Sequence, residues 1–598
     1  MPRFPFSRAL ATLATLCLVL AAAAAPKWNT IQAPHCLIVS QLSEKETREW
    51  ATQFEQFTAA VRGVLTIEER FLPPLTVVLF ADSGKFAPYC PRNADGKKRD
   101  IAGFFTTQET WSVIGLADAF SSEETRHVVL HEATHWLVSA TATKLPLWLN
   151  EGFAEVFSSF EARKDHGLLG QPIDYHVAAL TRETWVPILE LLLTAPSSPL
   201  YTDNNRNRIF YAESWLFVHQ LLFKDRAAGY ASLNRFFDAR LHGADQLAAF
   251  QSAFVKDTTA ADAELKRYFS RGGFGLTKLP FPPEAKVTSP FAPAPPQTVE
   301  IALARLAIGA GDIELARTHI DKALAIDPTT PAVHELLAML ESIRSNPEAA
   351  STAASTALNH GSKDAWMHIL VAQNLWKQQS DRGTLDTAAR EIADHYAKAL
   401  ELQPNLRNAY SNYAHIAQSL PSVTQADASL LTAGFKIYPD AADLLLGIAV
   451  VLHKGNNDAQ ATQLLGLALS RSSYLSQEDI AYAERLRSEW RIEPLARKIE
   501  ELAKNKLYAD ALSECEKLLQ EPMQMNQQRM WERRRNDLRF QVALDEIQLS
   551  ENSGNLEEAI RQLEALIART DLAQGHLSFA RRQLERIRKR LPTAEAAP

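Results

Sequence analysis

The pentapeptide His131-Glu132-Ala133-Thr134-His135 constrains this chain more than any other stretch. Residues four apart lie on one face of an α-helix, one turn from each other. In a helix, His131 and His135 therefore offer two imidazole nitrogens to one point. Glu132 sits beside them, placed to handle a proton on a metal-bound water. The spacing is that of a His-Glu-x-x-His zinc site. Val128, Val129, Leu130, Trp136 and Leu137 provide the apolar positions that a packed helix needs. A third ligand must come from elsewhere, and Leu145 to Glu155 (LPLWLNEGFAE) supplies it. Asn150-Glu151-Gly152 opens a second helix in which Glu151 is the candidate ligand. Glu155, one turn later, is the candidate to hydrogen-bond a ligating histidine. Two histidines and one glutamate leave a fourth position for water, which a catalytic zinc needs and a structural zinc does not.

HEATH followed by WLNEGFAE resembles the gluzincin metallopeptidases, in the branch that includes the M1 aminopeptidases. It is most similar to the bacterial peptidase-MA-like domains of the DUF1570 type, which are often fused to tetratricopeptide repeats. The resemblance implies Zn2+ held by His131, His135 and Glu151, with Glu132 as general base. The interval from His135 to Glu151 is shorter than in the M1 enzymes, so the connecting loop differs. In Phe210-Tyr211-Ala212-Glu213-Ser214-Trp215, Tyr211 matches the place of the family's oxyanion-stabilising tyrosine. The Gly-x-Met-Glu-Asn strand that binds a free amino terminus in M1 enzymes has no counterpart. Ala102-Gly103-Phe104-Phe105 occupies the comparable region. An endopeptidase is therefore expected rather than an aminopeptidase.

Residues 1–25 read as a secretory signal peptide: Arg3 and Arg8, an apolar run from Leu10 to Leu20, then Ala21 to Ala25. The expected location is periplasmic or secreted, with no transmembrane segment beyond the leader. From Trp28 to Leu116 the pattern predicts strands at Cys36–Ser40, Leu75–Phe80, Ile101–Phe105 and Trp111–Leu116, with a helix over Glu44–Val64. An edge strand of such a sheet can pair with an extended peptide, and Trp111–Leu116 is the candidate edge. Cys36 and Cys90 either pair or lie buried separately. Residues 121–272 read as mostly helical. His127, His219 and Trp148 are expected to pack rather than to act.

Leu279-Pro-Phe-Pro-Pro283 and Pro290-Phe-Ala-Pro-Ala-Pro-Pro296 cannot hold a helix and read as a semi-rigid linker. Beyond it the chain is helical and repetitive. Ile326-Asp-Pro328, Leu402-Gln-Pro404 and Ile437-Tyr-Pro439 punctuate it, with an insertion near Gln378 to Thr384. Gly311-Asp-Ile-Glu-Leu-Ala316 and Gly554-Asn-Leu-Glu-Glu-Ala559 are turn-to-second-helix signatures. The pattern resembles tetratricopeptide repeats, about six to eight of them, whose concave surface takes a protein partner. The basic runs Arg533–Arg535 and Arg581–Arg590 read as solvated helix faces. A net charge of −7 over 598 residues gives no sign of nucleic-acid binding.

The fold expected is an α+β gluzincin-like zinc peptidase domain, a small sheet plus helices, followed by an all-α tetratricopeptide solenoid. The boundaries are 26–278 for the peptidase domain, 279–297 for the linker and 298–598 for the repeats. The expected function is a zinc metallopeptidase that cuts a protein or peptide substrate, with the repeats as a docking tail. The alternative is a non-catalytic scaffold or adaptor that carries a degenerate peptidase-like domain.

Overall fold

The computed structural model describes residues 28–591, apart from 94–95, 118–122, 142–143, 204–205, 243, 255–256, 283–284, 440 and 473–474. The leader assigned to residues 1–25 lies outside the described residues. The chain divides into two compact units, one ending at Val451 and the other starting at Leu452. Among the described residues, no helix is long and apolar enough to cross a membrane.

The first unit is built on a sheet of β1 (Asn29–Gln32), β2 (Cys36–Ser40), β3 (Leu75–Leu79), β4 (Gly103–Thr107), β5 (Ser112–Leu116) and a two-residue strand, β9 (Ala292–Pro293). The spatial order is β4-β5-β3-β2-β1-β9. β2, β3 and β5 run parallel, and β4 is antiparallel to β5. The edge expected at Trp111–Leu116 is therefore internal, and the edge on that side of the sheet is β4. The reason is that the chain turns back after Thr107 and pairs β4 along the outer side of β5. A second, three-stranded sheet joins β6 (Glu161–Ala162), β7 (His166–Leu169) and β8 (Thr277–Pro280).

β3 reads Leu-Thr-Val-Val-Leu and is buried at all five positions. Alternate side chains of a strand point to opposite faces, so such a run needs cover on both. On one face Ile38, Val77 and Ile114 share a core with α1 (Glu44–Arg62) and α2 (Glu123–Val138) through Phe54, Phe57, Leu130 and Leu137. On the other face Val39, Val78 and Val113 share a core with Leu303, Leu306, Leu336 and Met339. The last four belong to the helical array. Cys36 sits in the first core and Cys90 in the second, both as free thiols.

Among the described residues, eight helices follow α2 before the array: α3 (Leu147–Ser158), α4 (Asp174–Arg182), α5 (Ile188–Leu193), α6 (Pro199–Thr202), α7 (Asn207–Phe223), α8 (Arg226–Leu241), α9 (Gln246–Ala253) and α10 (Thr258–Arg271). Trp148 of α3 is fully buried and stacks on Phe217. His219 is locked between the Tyr268 hydroxyl and the Gly170 carbonyl.

In the first unit the array runs as α11 (Pro296–Gly309), α12 (Ile313–Ile326), α13 (Pro331–Ile343), α14 (Pro347–Asn359), α15 (Ala365–Arg382), α16 (Leu385–Leu402), α17 (Arg407–Ile416), α18 (Gln425–Ile437) and most of α19 (Ala442–Lys454). Helices beginning at Pro296, Pro331, Ala365, Arg407, Ala442 and Gln477 are 35, 34, 42, 35 and 35 residues apart. That period is the tetratricopeptide one. The longer interval is absorbed largely by α15 and α16, which have 18 residues each. The turns inside the first two pairs use a left-handed residue followed by a cap. Gly311 (φ 73°) precedes Asp312, and Ser345 (φ 59°) precedes Asn346. Each cap's side chain accepts from a backbone amide three residues on.

The expected linker contributes the end of β8 and all of β9, and α11 starts at once against the sheet. Leu306 sits over Gly115 and Phe86, where a Cβ on Gly115 would come within 2.6 Å of it. The half-buried Arg305 donates to Thr76 Oγ1 at 2.9 Å and lies over the Trp111 ring. Further along, the inter-repeat turns cap the same body. Gln403 donates to the Glu109 carbonyl, Asn405 to those of Phe71 and Ser139, and the Lys144 amide to the Ile437 carbonyl. The array in this unit is thus a clasp around the sheet, and part of the surface expected to face a partner is taken by the chain itself.

The second unit continues with α20 (Asp458–Ser470), α21 (Gln477–Lys504), α22 (Tyr508–Leu518), α23 (Met525–Asn552), α24 (Leu556–Ile567) and α25 (Gln574–Arg588). The basic runs are interhelical ties here. Arg534 pairs with Glu500, Arg586 with Glu551, and Arg588 with Glu564.

Leu306→Ala should cost about 2–5 kcal/mol, as expected for a buried leucine that leaves a cavity. Hydrogen exchange should then speed up at the β3 amides as well as in α11. Unchanged protection in β3 would show that the clasp and the sheet are not energetically linked.

Candidate metal centre

α2 buries Val129, Leu130, Ala133, Trp136 and Leu137 and leaves His131, Glu132 and His135 half-buried on the opposite side. Trp136 fixes its rotation by donating to the Pro73 carbonyl at 2.9 Å. α3 crosses next to it and is buried along nearly its whole length. Gly152 makes a close approach possible: a Cβ there would come within 2.5 Å of Ser214 O and Val218 Cγ2 of α7. The residue after Glu151 therefore brings α7, with Tyr211, against the same centre.

His131 Nε2 and His135 Nε2 are 3.1 Å apart. Glu151 Oε2 stands 3.5 Å from the first and 3.3 Å from the second. Ligand atoms about 2.0–2.1 Å from a tetrahedral ion would be about 3.4 Å apart. The three-sided arrangement fits a zinc ion, and His131, His135 and Glu151 are the metal-competent group among the described residues. Glu151 Oε2 is buried and has no hydrogen-bond donor, as an atom reserved for a cation would be.

Electrostatics point the same way. Burial opposes ionisation of Glu151, yet His131 and His135 outweigh it and hold the carboxyl down to about 2. Burial also opposes protonation of His131, but Glu151, Glu155 and Glu132 together raise it to about 10. Three carboxylates around two imidazoles make a place that favours positive charge.

Glu155 is a hub. Its Oε1 lies 3.3 Å from His131 Nδ1. Its Oε2 lies 2.9 Å from His176 Nε2, 3.3 Å from His127 Nε2, and accepts from the Tyr175 hydroxyl at 3.3 Å. Burial raises its carboxyl, but His176, His127 and His131 hold it well below the usual range. An anion at Nδ1 keeps the proton on that nitrogen of His131 and leaves Nε2 as the lone pair for a metal. His127, one turn before His131, faces Glu155 and not the triangle.

Tyr211 is half-buried near His131, with ring centroids 6.4 Å apart. Its ring lies 6.0 Å from that of Tyr201, and Tyr201 donates to Glu151 Oε1 at 3.1 Å. The sequence-predicted residues His131, Glu132, His135, Glu151, Glu155 and Tyr211 thus all converge on one site. Sequence reasoning missed Tyr201, Tyr175 and His176. They lie outside any periodic motif, and only the packing of α4 and α6 brings them in.

No family model matches this chain, and no curated protein matches it. Among solved structures, it is similar to YrrB, a TPR protein with an unusual peptide-binding site, at 19% identity over 31% of this chain and 90% of that one, with a TM-score of 0.25. It is also similar to PilW, a type IV pilus biogenesis factor, at 17% identity over 36% of this chain and 96% of that one, with a TM-score of 0.22. The TPR domain of P58(IPK) matches at 12% identity over 49% of this chain and 98% of that one, with a TM-score of 0.17.

Two residues past Tyr211, Glu213 is fully buried and accepts from the Val186 amide at 2.7 Å. Burial raises its carboxyl from 4.5 to about 8. The folded chain therefore keeps a proton that the unfolded chain releases above pH 4.5. This contribution to stability is full below about pH 4.5 and is lost as pH rises through 8. Glu213→Gln should flatten that part of the stability curve in denaturant titrations. An unchanged slope would mean that Glu213 is ionised in the fold.

Proposed function

We propose that this chain is a zinc-dependent peptidase of gluzincin type that acts outside the cytoplasm, with a tetratricopeptide array for protein contacts. The observation that carries the reading is the triangle of His131 Nε2, His135 Nε2 and Glu151 Oε2, with sides of 3.1, 3.5 and 3.3 Å. Zinc held there would supply Lewis acidity and bring the pKa of a bound water toward neutrality.

The chain's own residues have distinct tasks. Glu132, half-buried beside His131, takes the water's proton and delivers it to the leaving amine. Tyr211 turns its hydroxyl toward the carbonyl oxygen as negative charge develops. Glu155 holds His131 in the tautomer that leaves Nε2 free. β4, the sheet edge beside α2, offers main-chain groups to an extended peptide, so cleavage within a chain is favoured over trimming at its amino end. The leader sequence supports a periplasmic or secreted location.

The second reading, a protein-interaction scaffold, draws on the extent of the array, from Pro296 to Arg588. The second unit would then carry the contacts, because the array of the first unit is engaged with the sheet. The two readings differ in metal content.

The purified protein should hold about one zinc per chain, and His135→Ala and Glu151→Ala should each lose it. A folded wild type that takes up no zinc would leave the scaffold reading. Glu132→Gln should keep zinc but reduce peptide hydrolysis by at least 10²-fold, in line with loss of a general base. Undiminished hydrolysis by that variant would remove Glu132 from the mechanism.

A further inference from the structure

We propose that Tyr201 is a positioning residue of the metal centre: it holds the outer oxygen of Glu151 so that the inner one alone faces the metal. The inference rests on the zinc reading and extends it to a residue 50 positions from Glu151, in no motif.

The two oxygens of Glu151 have different surroundings. Oε2 faces both imidazole nitrogens and receives no hydrogen bond. Oε1 accepts from Tyr201 at 3.1 Å. A carboxylate free at both oxygens can rotate or bind through both; one held at Oε1 presents a single atom in a fixed direction. Tyr201 can do this because its own position is fixed. α6 is a single turn, with the Tyr201 amide bonded to the Ser198 carbonyl at 2.9 Å and its neighbour Leu200 buried in the core. Its ring meets Phe210 edge-on at 5.6 Å and Tyr211 at 6.0 Å.

Tyr211 sits beside the Tyr201 ring, with centroids 6.0 Å apart, and beside the His131 ring, with centroids 6.4 Å apart. Its hydroxyl is not the one bonded to Glu151 Oε1, so a Tyr211 that steadies a carbonyl oxygen as charge develops leaves the bond from Tyr201 to Glu151 in place. The two tyrosines therefore have separable effects, one on the metal and one on the reaction.

The test compares the full-length wild type with Tyr201→Phe and Tyr211→Phe. Zinc affinity is read by competition with a chromophoric chelator, and the ligand field by the visible spectrum after cobalt(II) loading. Thermal melting of the metal-free proteins controls for folding. Tyr201→Phe should bind zinc about 10–100-fold more weakly and alter the cobalt spectrum, with melting close to wild type. Tyr211→Phe should keep zinc affinity within about 2-fold and lose peptide hydrolysis. Wild-type zinc affinity and an unchanged cobalt spectrum in Tyr201→Phe would overturn the proposal and leave the zinc reading intact. A wild type that binds neither metal would overturn both.

Discussion

Three parallel strands with apolar side chains on both faces set the terms for the first unit. β2, β3 and β5 cannot be left half-covered, because Val39, Val78 and Val113 would face water on one side as Ile38, Val77 and Ile114 would on the other. α1 and α2 cover one face, and the cover of the other comes from α11 and α13 of the repeat array. The helix that carries His131 and His135 and the helices that begin the array are therefore two coats of one sheet. This is why the compact unit runs on to Val451 and does not stop at the proline-rich stretch. The prolines serve the arrangement. They end one strand, form a two-residue edge at β9, and start α11 without a turn that would carry it off the sheet.

At the metal centre the governing quantity is charge. Glu132, Glu151 and Glu155 surround two imidazoles in a site where Glu151 and Glu155 are almost wholly buried. Carboxylates at that depth stay ionised only if positive charge is close. His176 and His127 supply part of it to Glu155 from one side, and His131 stands between Glu155 and Glu151. His176, His127 and Tyr175 fix the Glu155 carboxylate, and Glu155 holds the proton on His131 Nδ1 so that Nε2 faces the centre. Tyr201 does the equivalent for Glu151 from the opposite side.

Much of this was legible in the residues. β2 has the bounds expected from Cys36–Ser40, and α1 starts at Glu44 as expected, where Ser43 and Glu46 form a capping box. The His-x-x-x-His spacing and the Asn-Glu-Gly opening of α3 mark one site because helical periodicity fixes which side chains share a face. The 34-residue rhythm after Gln297 marks helix pairs for the same reason. Other features were not legible. β1 is four residues with no strong alternation, and β4 takes the edge because of how the chain folds back after Thr107. Tyr201, Tyr175 and His176 carry no local signal at all.

The sequence by itself therefore determined the local elements, the repeat period and the residues able to hold a metal, since each depends on neighbours within a turn or two of the chain. Only the tertiary structure decided which oxygen of Glu151 faces the histidines, which outer residues orient them, and that the array closes over the sheet. Those outcomes depend on contacts between residues tens to hundreds of positions apart, such as Tyr201 with Glu151 and Arg305 with Thr76, and no periodicity encodes them.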